Sequence, residues 1–395
     1  MSRPARPTKC MAAIRSSEDW GGRATRAEID LDVIEANVRA LLGCLTSGNL
    51  MTVVKANGYG HGAAPIAEAA IHAGACYLGV YAVSEGIELR QAAINLPILV
   101  FGSFQPSEAR DIVAYDLLPT VTTVDGAEAL ASATGNRRIA FHLKVDTGLT
   151  RAGIPAASAL EFMRRIAPLT QLVPEGIFTH FASADEADKD LTRLQLDVFD
   201  DVRETLAQNG FRFKLQHVAN SAATLDLPET HRDLARCGIG TYGYYPSDSV
   251  CSDVMLHPAM SLVSTITRLT CVPAGTGIGY GHEFRSTRPT TIALVPIGYG
   301  DGLPRSLGNG HGRVLVRGHA APIVGRVSMD QITLDVTRVP GVAVGTRAVL
   351  IGSDAGATQT ADDLADRAGT ISYDILTGLL PRVPRLYVRG EEIVG

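Results

Sequence analysis

Thr52-Val53-Val54-Lys55-Ala56-Asn57-Gly58-Tyr59-Gly60-His61-Gly62 is a β-branched apolar run that carries one lysine and then stops in glycines. Such a run reads as a buried strand with Lys55 at its end. Desolvation disfavours the ammonium form, and a neutral amine held on a rigid strand end is suited to forming a Schiff base with an aldehyde. A lysine that reaches solvent along its own stem explains the same letters equally well.

Seven further runs of this kind follow, giving eight in all at 52–55, 78–82, 98–102, 118–122, 139–145, 176–180, 214–218 and 234–239. Between them lie segments with apolar residues at three- and four-residue spacing, among them 64–73, 84–93, 157–167 and 189–207, which predict helices. Regular alternation of strand and helix is the pattern of parallel β/α units, and eight units predict a (β/α)8 barrel. Barrels of this kind build their sites at the C-terminal ends of the strands. Lys55, Lys144 with Asp146, His180, His217 and Arg236 all fall at or near such ends. Asn220-Ser221 and Gly238-Ile239-Gly240 follow the seventh and eighth runs, where backbone amides commonly hold a phosphate.

From residue 257 onward, β-branched runs come at short spacing (261–269, 290–296, 312–316, 321–327, 331–336, 347–351), which predicts a mostly-β second domain. The segment 26–31 reads as a strand able to pair with it, and 360–380 reads as a helical insertion. The expected organisation is a loosely ordered extension at 1–24, a barrel domain at 25–256 and a β-rich domain at 257–395. The chain of 395 residues has 46% apolar and 19% charged residues and a formal charge of −5, so it lacks the basic excess of a nucleic-acid binder. The six cysteines are scattered with no metal-ligand spacing, which suits reduced thiols in the cytoplasm and no metal site. No apolar run is long enough to span a membrane.

The motifs Val54-Lys55-Ala56-Asn57-Gly58-Tyr59-Gly60-His61-Gly62, Lys144-Val145-Asp146-Thr147-Gly148-Leu149-Thr150-Arg151-Ala152-Gly153, Thr179-His180-Phe181-Ala182 and His217-Val218-Ala219-Asn220-Ser221 are joined by Arg236-Cys237-Gly238-Ile239, Gly279-Tyr280-Gly281, Gly298-Tyr299-Gly300-Asp301-Gly302, Ser328-Met329-Asp330-Gln331 and Ile371-Ser372-Tyr373. Together they resemble the alanine racemases, barrel-plus-β-domain enzymes that use pyridoxal 5'-phosphate, and the resemblance runs from about Arg26 to Tyr387. It implies that Lys55 carries the cofactor as a Schiff base. Tyr280, from the β domain of a partner subunit in a homodimer, is the implied second base on the opposite face.

Arg236 resembles the arginine facing the pyridine nitrogen, where other pyridoxal enzymes place a carboxylate; arginine takes up no proton, so the ring stays a weaker electron sink. His180 looks like the residue that stacks on the ring, and His217 like a partner orienting Arg236. Tyr59, Ser221, the amides of Gly238 and Ile239, and Tyr373 match the phosphate-binding positions. Arg151 and Met329 match positions that bind the substrate carboxylate, with Asp330 in support. Lys144 resembles a lysine that CO2 converts to a carbamate bracing the arginine. Asp185, Tyr299, Arg305 and Arg326 resemble an entrance that steers a charged amino acid inward.

Gly58 and Gly279 stand where alanine and serine are more usual, and Ser328 where cysteine is often found. Added backbone freedom there bears on the substrate more than on the chemistry. The expected activity is interconversion of L- and D-alanine, with D-alanine going to peptidoglycan. Serine or a broader set of amino acids is the alternative substrate. A non-catalytic pyridoxal-phosphate carrier is a less fitting alternative, because such single-barrel relatives lack the β domain and its tyrosine. An amino-acid decarboxylase of related fold fits less well too, because its acidic ring partner is not evident.

Overall fold

The computed structural model describes residues 23–395. These divide into two compact units, one made of the described residues up to Val33 with His257–Gly395, the other of Ile34–Leu256. Of the expected extension, 1–22 lie outside the described residues. Arg23 is tied down by an ion pair to Asp301 at 2.5 Å, and Thr25 donates to the Pro296 carbonyl at 2.7 Å.

The first strand, β1 (Arg26–Asp30), pairs antiparallel with 260–263 and parallel with 385–388. It is therefore a strand of the β unit, and the expected barrel start at residue 25 moves to Ile34. The expected pairing of 26–31 with the β-rich domain is thus present, to neighbours more than two hundred residues away in sequence.

The barrel unit is built from β2 (Asn49–Val53), β3 (Tyr77–Val80), β4 (Ile98–Val100), β5 (Leu118–Val121), β6 (Ile139–Asp146), β7 (Leu172–Phe178), β8 (Leu215–His217) and β9 (Leu234–Cys237). All are parallel in the order β9-β2-β3-β4-β5-β6-β7-β8. Backbone bonds from Asp233 N to Gln216 O and from Arg236 N to Ala219 O link the two ends, so the barrel is nearly closed. The expected helices are present at Ala63–His72, Val83–Gln91, Ala159–Ile166 and Asp190–Gln208. Inward residues such as Met51, Leu99 and Leu234 pack together, which is how a barrel of this size fills its interior.

In the β unit, β10 (Met260–Thr265), β11 (Arg268–Val272), β12 (Thr290–Val295), β13 (Arg313–Val316), β14 (His319–Pro322), β15 (Ile332–Asp335), β16 (Arg347–Asp354) and β17 (Arg385–Arg389) make two main sheets. One runs β14-β13-β16-β10-β1-β17 and the other β11-β12-β15. The expected single run at 261–269 is two strands, because Ile266 and Thr267 leave the first sheet and Arg268 enters the second. The expected helical insertion consists of Ala361–Ala368 and Ser372–Thr377. Among the described residues no helix is long and apolar enough to cross a membrane.

Candidate active site

Lys55 stands two residues beyond β2, at the start of a turn with backbone of the wrong hand for ordinary residues. Ala56, Asn57, Gly58 and Tyr59 all have φ between 51° and 59°. Left-handed helical backbone costs roughly 1–2 kcal/mol per L-residue, so such a run persists only where its surroundings hold it. Gly58 N–H donates to the Val54 carbonyl at 2.8 Å, Ala63 N–H to Asn57 Oδ1 at 3.0 Å, and Ala56 N–H to Glu85 Oε1 at 2.6 Å. The other oxygen of Glu85 accepts the amides of Tyr81 and Ala82 at the start of the next helix. Glycine at 58 fits because a Cβ there would lie 3.2 Å from the Ala63 backbone, in addition to the positive φ.

The same turn carries Tyr59 into the barrel, where its ring stacks on Tyr242 and the Tyr242 hydroxyl donates to the Val53 carbonyl. Burial pushes the Tyr59 phenol well above its usual range, so it stays a proton donor. Gly238 faces it closely, since a Cβ on Gly238 would sit 2.4 Å from Tyr59 Oη. Ser221 Oγ accepts the amides of Gly238 at 3.0 Å and Gly240 at 3.4 Å, which leaves the hydroxyl proton to be donated elsewhere.

Lys144, Phe178 and His217 share one row of the barrel, Lys144 paired with Phe178 and Phe178 with His217. Phe178 is a site residue that the sequence reading missed. Its ring stacks on His217 with centroids 4.7 Å apart, and it lies 5.6 Å from Lys144 Nζ and 5.4 Å from the Arg236 guanidinium. Nothing in the letters of an apolar strand marks it, because a core phenylalanine and one facing two cations look alike.

Arg236 is almost fully buried and donates to the carbonyls of His217 at 2.6 Å, Thr179 at 2.8 Å and Val218 at 3.2 Å. It also meets His217 Nδ1 at 3.2 Å and His180 Nδ1 at 3.3 Å. Burial lowers the guanidinium to about 9. Burial first, then the cations Arg236, Arg151, Lys144 and Lys55, hold His180 well below the ordinary histidine range, so it is neutral. Gln195, also missed, clamps the His180 loop: it donates to the His180 carbonyl and to Thr147 Oγ1, and its Oε1 accepts Ala182 N–H at 2.8 Å.

Burial and then Arg151 lower Lys55, while burial, Arg236 and Arg151 bring Lys144 down to about 8. Among the described residues, Lys55, Lys144, Arg151 and Arg236 form no ion pair. The nearby carboxylates are committed to backbone amides, Glu85 as above and Asp146 to Gly148 and Thr150. Lys144 and Arg236 are buried, with Lys55 half-buried and Arg151 exposed at the edge, and such a group of cations without paired anions is costly alone and fits ligands that bring negative charge. With hydroxyl donors at Tyr59 and Ser221 and a depressed lysine beside them, the donor set fits a phosphate-bearing aldehyde.

The remaining expected site residues are divided between the two units. Asp185 belongs to the barrel unit, where its carbonyl accepts the Ser247 hydroxyl. Tyr280, Tyr299, Arg305, Arg326, Met329, Asp330 and Tyr373 belong to the β unit. Tyr280 is 70% exposed, between Gly279 and Gly281 at φ +72° and +71°, with the Arg326 guanidinium against Gly281. Arg326 is ion-paired with Glu283, which also accepts from Asn309. Tyr299 N–H and Gly300 N–H donate to the carbonyls of Ser328 and Met329, and Arg382 bridges Asp301, Asp330 and the Met329 carbonyl.

Comparison with known proteins identifies the family and the fold. The domain families described as "Alanine racemase, N-terminal domain" and "Alanine racemase, C-terminal domain" match residues 29–246 and 259–387. The chain belongs to the alanine racemases. The alanine racemase of Halothermothrix orenii is 42% identical over 370 residues, covering 92% of this chain and 97% of the relative. The crystal structure of the alanine racemase from Bacillus anthracis with bound L-Ala-P superposes with a TM-score of 0.90 at 34% identity, covering 95% of this chain and 97% of that one. The alanine racemase of Bartonella henselae, solved with covalently bound pyridoxal phosphate, gives a TM-score of 0.84 at 28% identity, covering 93% of this chain and all of that one. These racemases are isomerases, and their barrel-plus-β architecture is the one described above.

Proposed function

We propose that this protein racemises alanine with pyridoxal 5'-phosphate, using Lys55 and Tyr280 as proton carriers on opposite faces of Cα. The observation that carries the reading is the unpaired cation cluster at the strand ends, in which burial and Arg151 hold Lys55 toward its neutral amine. When bound, the cofactor supplies an aldehyde for the amine and a conjugated ring that accepts the electron pair left by the Cα proton. Lys55 would hold it covalently, as in the Bartonella relative, and Tyr59, Ser221, the amides of Gly238 and Ile239, and Tyr373 would hold its phosphate. His180 and Arg236 would hold the ring.

In this scheme Lys55 Nζ gives or takes the proton on one face and Tyr280 Oη does so on the other. Arg236 has no site to accept a proton, so it offers the ring nitrogen a hydrogen bond and no acid, and the reaction leans on its two bases. Arg151 and the Met329 amide would bind the substrate carboxylate, with Asp330 and Arg382 bracing the Met329 loop. Lys144, lowered to about 8, carries more neutral amine near neutral pH than an ordinary lysine. Its Nζ attacks CO2 and loses a proton to give a carbamate, which turns a repulsive cation into an anion beside Arg151. Asp185, Tyr299, Arg305 and Arg326 would steer the zwitterionic substrate.

The high exposure of the Tyr280 side chain supports a role at a second copy of the chain, in a homodimer with shared sites. A cytoplasmic location and supply of D-alanine for peptidoglycan complete the proposal. The five cysteines among the described residues are free thiols, which fits a reducing compartment. The deciding experiment incubates L-alanine in deuterated water with wild type, Lys55→Ala and Tyr280→Phe. Wild type gives both enantiomers with deuterium at Cα, and Tyr280→Phe keeps the cofactor's absorbance but loses turnover. Racemisation by Tyr280→Phe at the wild-type rate would sink the two-base scheme.

A further inference from the structure

Behind Arg236 a line of buried polar groups crosses the barrel interior and ends on one carboxylate. Arg236 NH1 faces His217 Nδ1 at 3.2 Å, His217 Nε2 meets His142 Nδ1 at 2.8 Å, and His142 Nε2 faces Glu175 Oε2 at 3.6 Å. Both imidazoles are fully buried, while the Glu175 side chain is 25% exposed. The last contact is an electrostatic one, longer than a hydrogen bond.

The strands are shaped for this line. Phe141 pairs with Pro174 and His142 with Gly176, so Glu175 is the extra residue of a bulge in β7. A bulge re-aims the side chain it carries, and here it interrupts the strand at the residue that faces His142. Gly176 makes room for the ring, since a Cβ there would lie 2.5 Å from His142 Nδ1.

The proton positions along the line follow from its two ends. A guanidinium only donates, so His217 Nδ1 must be the lone-pair nitrogen of that ring. A neutral His217 then carries its proton on Nε2 and donates to His142 Nδ1. His142 in turn carries its proton on Nε2, turned toward the carboxylate. The Glu175 end requires the same order independently, because a carboxylate favours an N–H over a lone pair. An imidazolium at His142 would reverse the inner bond and drive a proton onto His217 Nδ1, against the guanidinium.

We propose that Glu175 is a positioning residue for the reaction, keeping the tautomers of His142 and His217 set so that a lone pair faces Arg236. This rests on the role of Arg236 given above. Without that lone pair, the guanidinium would lose one acceptor and meet an N–H in its place, and its placement would loosen.

The test is ¹⁵N NMR of the holoenzyme labelled at histidine, with the two rings assigned from His142→Gln and His217→Gln samples. Wild type should show both rings neutral with the proton on Nε2. Glu175→Leu should show the second tautomer in both rings and lose roughly tenfold in kcat, the scale on which outer partners of site histidines act. Glu175→Gln, whose amide oxygen still accepts, should restore wild-type tautomers and most of the turnover. A proton on Nδ1 of either ring in wild type, or Glu175→Leu with tautomers or kcat unchanged, overturns the proposal. Failure of the underlying reading has a different signature: Arg236→Lys with wild-type turnover, beside unchanged wild-type tautomers, removes the role of Arg236 and this proposal with it.

Discussion

The two units hold their candidate residues in opposite ways. In the barrel unit Lys144, His217 and Arg236 are buried and shifted in pKa by burial and by charged or polar neighbours, and Arg236 is bonded on several sides. In the β unit Tyr280, Tyr299 and Met329 are 70%, 41% and 53% exposed, carried on loops whose backbones are fixed while the side chains face outward. Buried charge in the barrel unit is thus tuned by its surroundings, and under the proposed function the exposed groups of the β unit are the ones available to meet a partner. It follows that damage to the barrel group should cost fold and function together, and damage to the β group function alone.

Arg236→Leu against Tyr280→Phe separates the two most sharply. Losing Arg236 strips a donor from the buried carbonyls of Thr179, His217 and Val218. Unfolding in urea should show a loss of about 3 kcal/mol or more, together with the loss of turnover. Tyr280→Phe should change stability by less than about 0.5 kcal/mol, as exposed substitutions do, while turnover falls by roughly 10²–10⁴. A stable but inactive Arg236→Leu would erase the contrast.

Gly238→Ala comes next. The new Cβ would meet Tyr59 Oη at 2.4 Å, and the buried stack of Tyr59 on Tyr242 leaves the ring little room to retreat. Cofactor affinity, read by absorbance titration, should fall at least about tenfold, the scale of about 1.4 kcal/mol expected for losing one hydroxyl donor. Retention of wild-type affinity would mean that Tyr59 does not reach the phosphate.

Much of this was legible in the letters. Eight β-branched runs separated by helix-period segments gave the barrel, and lysines, histidines and an arginine at run ends marked its candidate site. What stayed hidden depends on register and on distant pairing. The bulge at Glu175 shifts one strand by a residue without any change in the apolar pattern. The pairing of 26–31 with the β domain was legible, but its exact partners were not, and Phe178 reads as core because its cationic neighbours come from other strands. Glu85 reads as an ordinary helix residue, yet it holds the turn after Lys55.

The pH dependence of stability probes the barrel group without any substrate. Lys144 sits at about 8 in the fold and at 10.5 as an ordinary lysine. Below about 8 both folded and unfolded chains carry the proton, and the fold bears the cost of burying it. Between the two values only the unfolded chain carries it, so unfolding takes up a proton and rising pH opposes unfolding. In CO2-free buffer, stability should therefore rise with pH across this window. Lys144→Met should flatten the rise, and added bicarbonate should stabilise wild type but not the variant. An unchanged slope in Lys144→Met would assign the titration elsewhere.

The smallest effect is expected at Gly279, and it sharpens the contrast because the reason for glycine is reversed. Gly238 has an ordinary φ of −101° but no space, whereas Gly279 has space but a backbone at φ +72° and ψ −170° that only glycine adopts readily. The nearest atom to a Cβ at 279 is Arg326 N at 3.5 Å, an ordinary contact. Gly279→Ser should therefore cost about 1 kcal/mol of backbone preference and no packing. The loop can relieve that cost by rotating Tyr280, so kcat should fall a few-fold while KM for alanine and the absorbance of the bound cofactor stay as they were. If instead cofactor binding changed, the residues around Tyr280 would belong to the tuned group of the barrel and the division drawn between the two units would not hold.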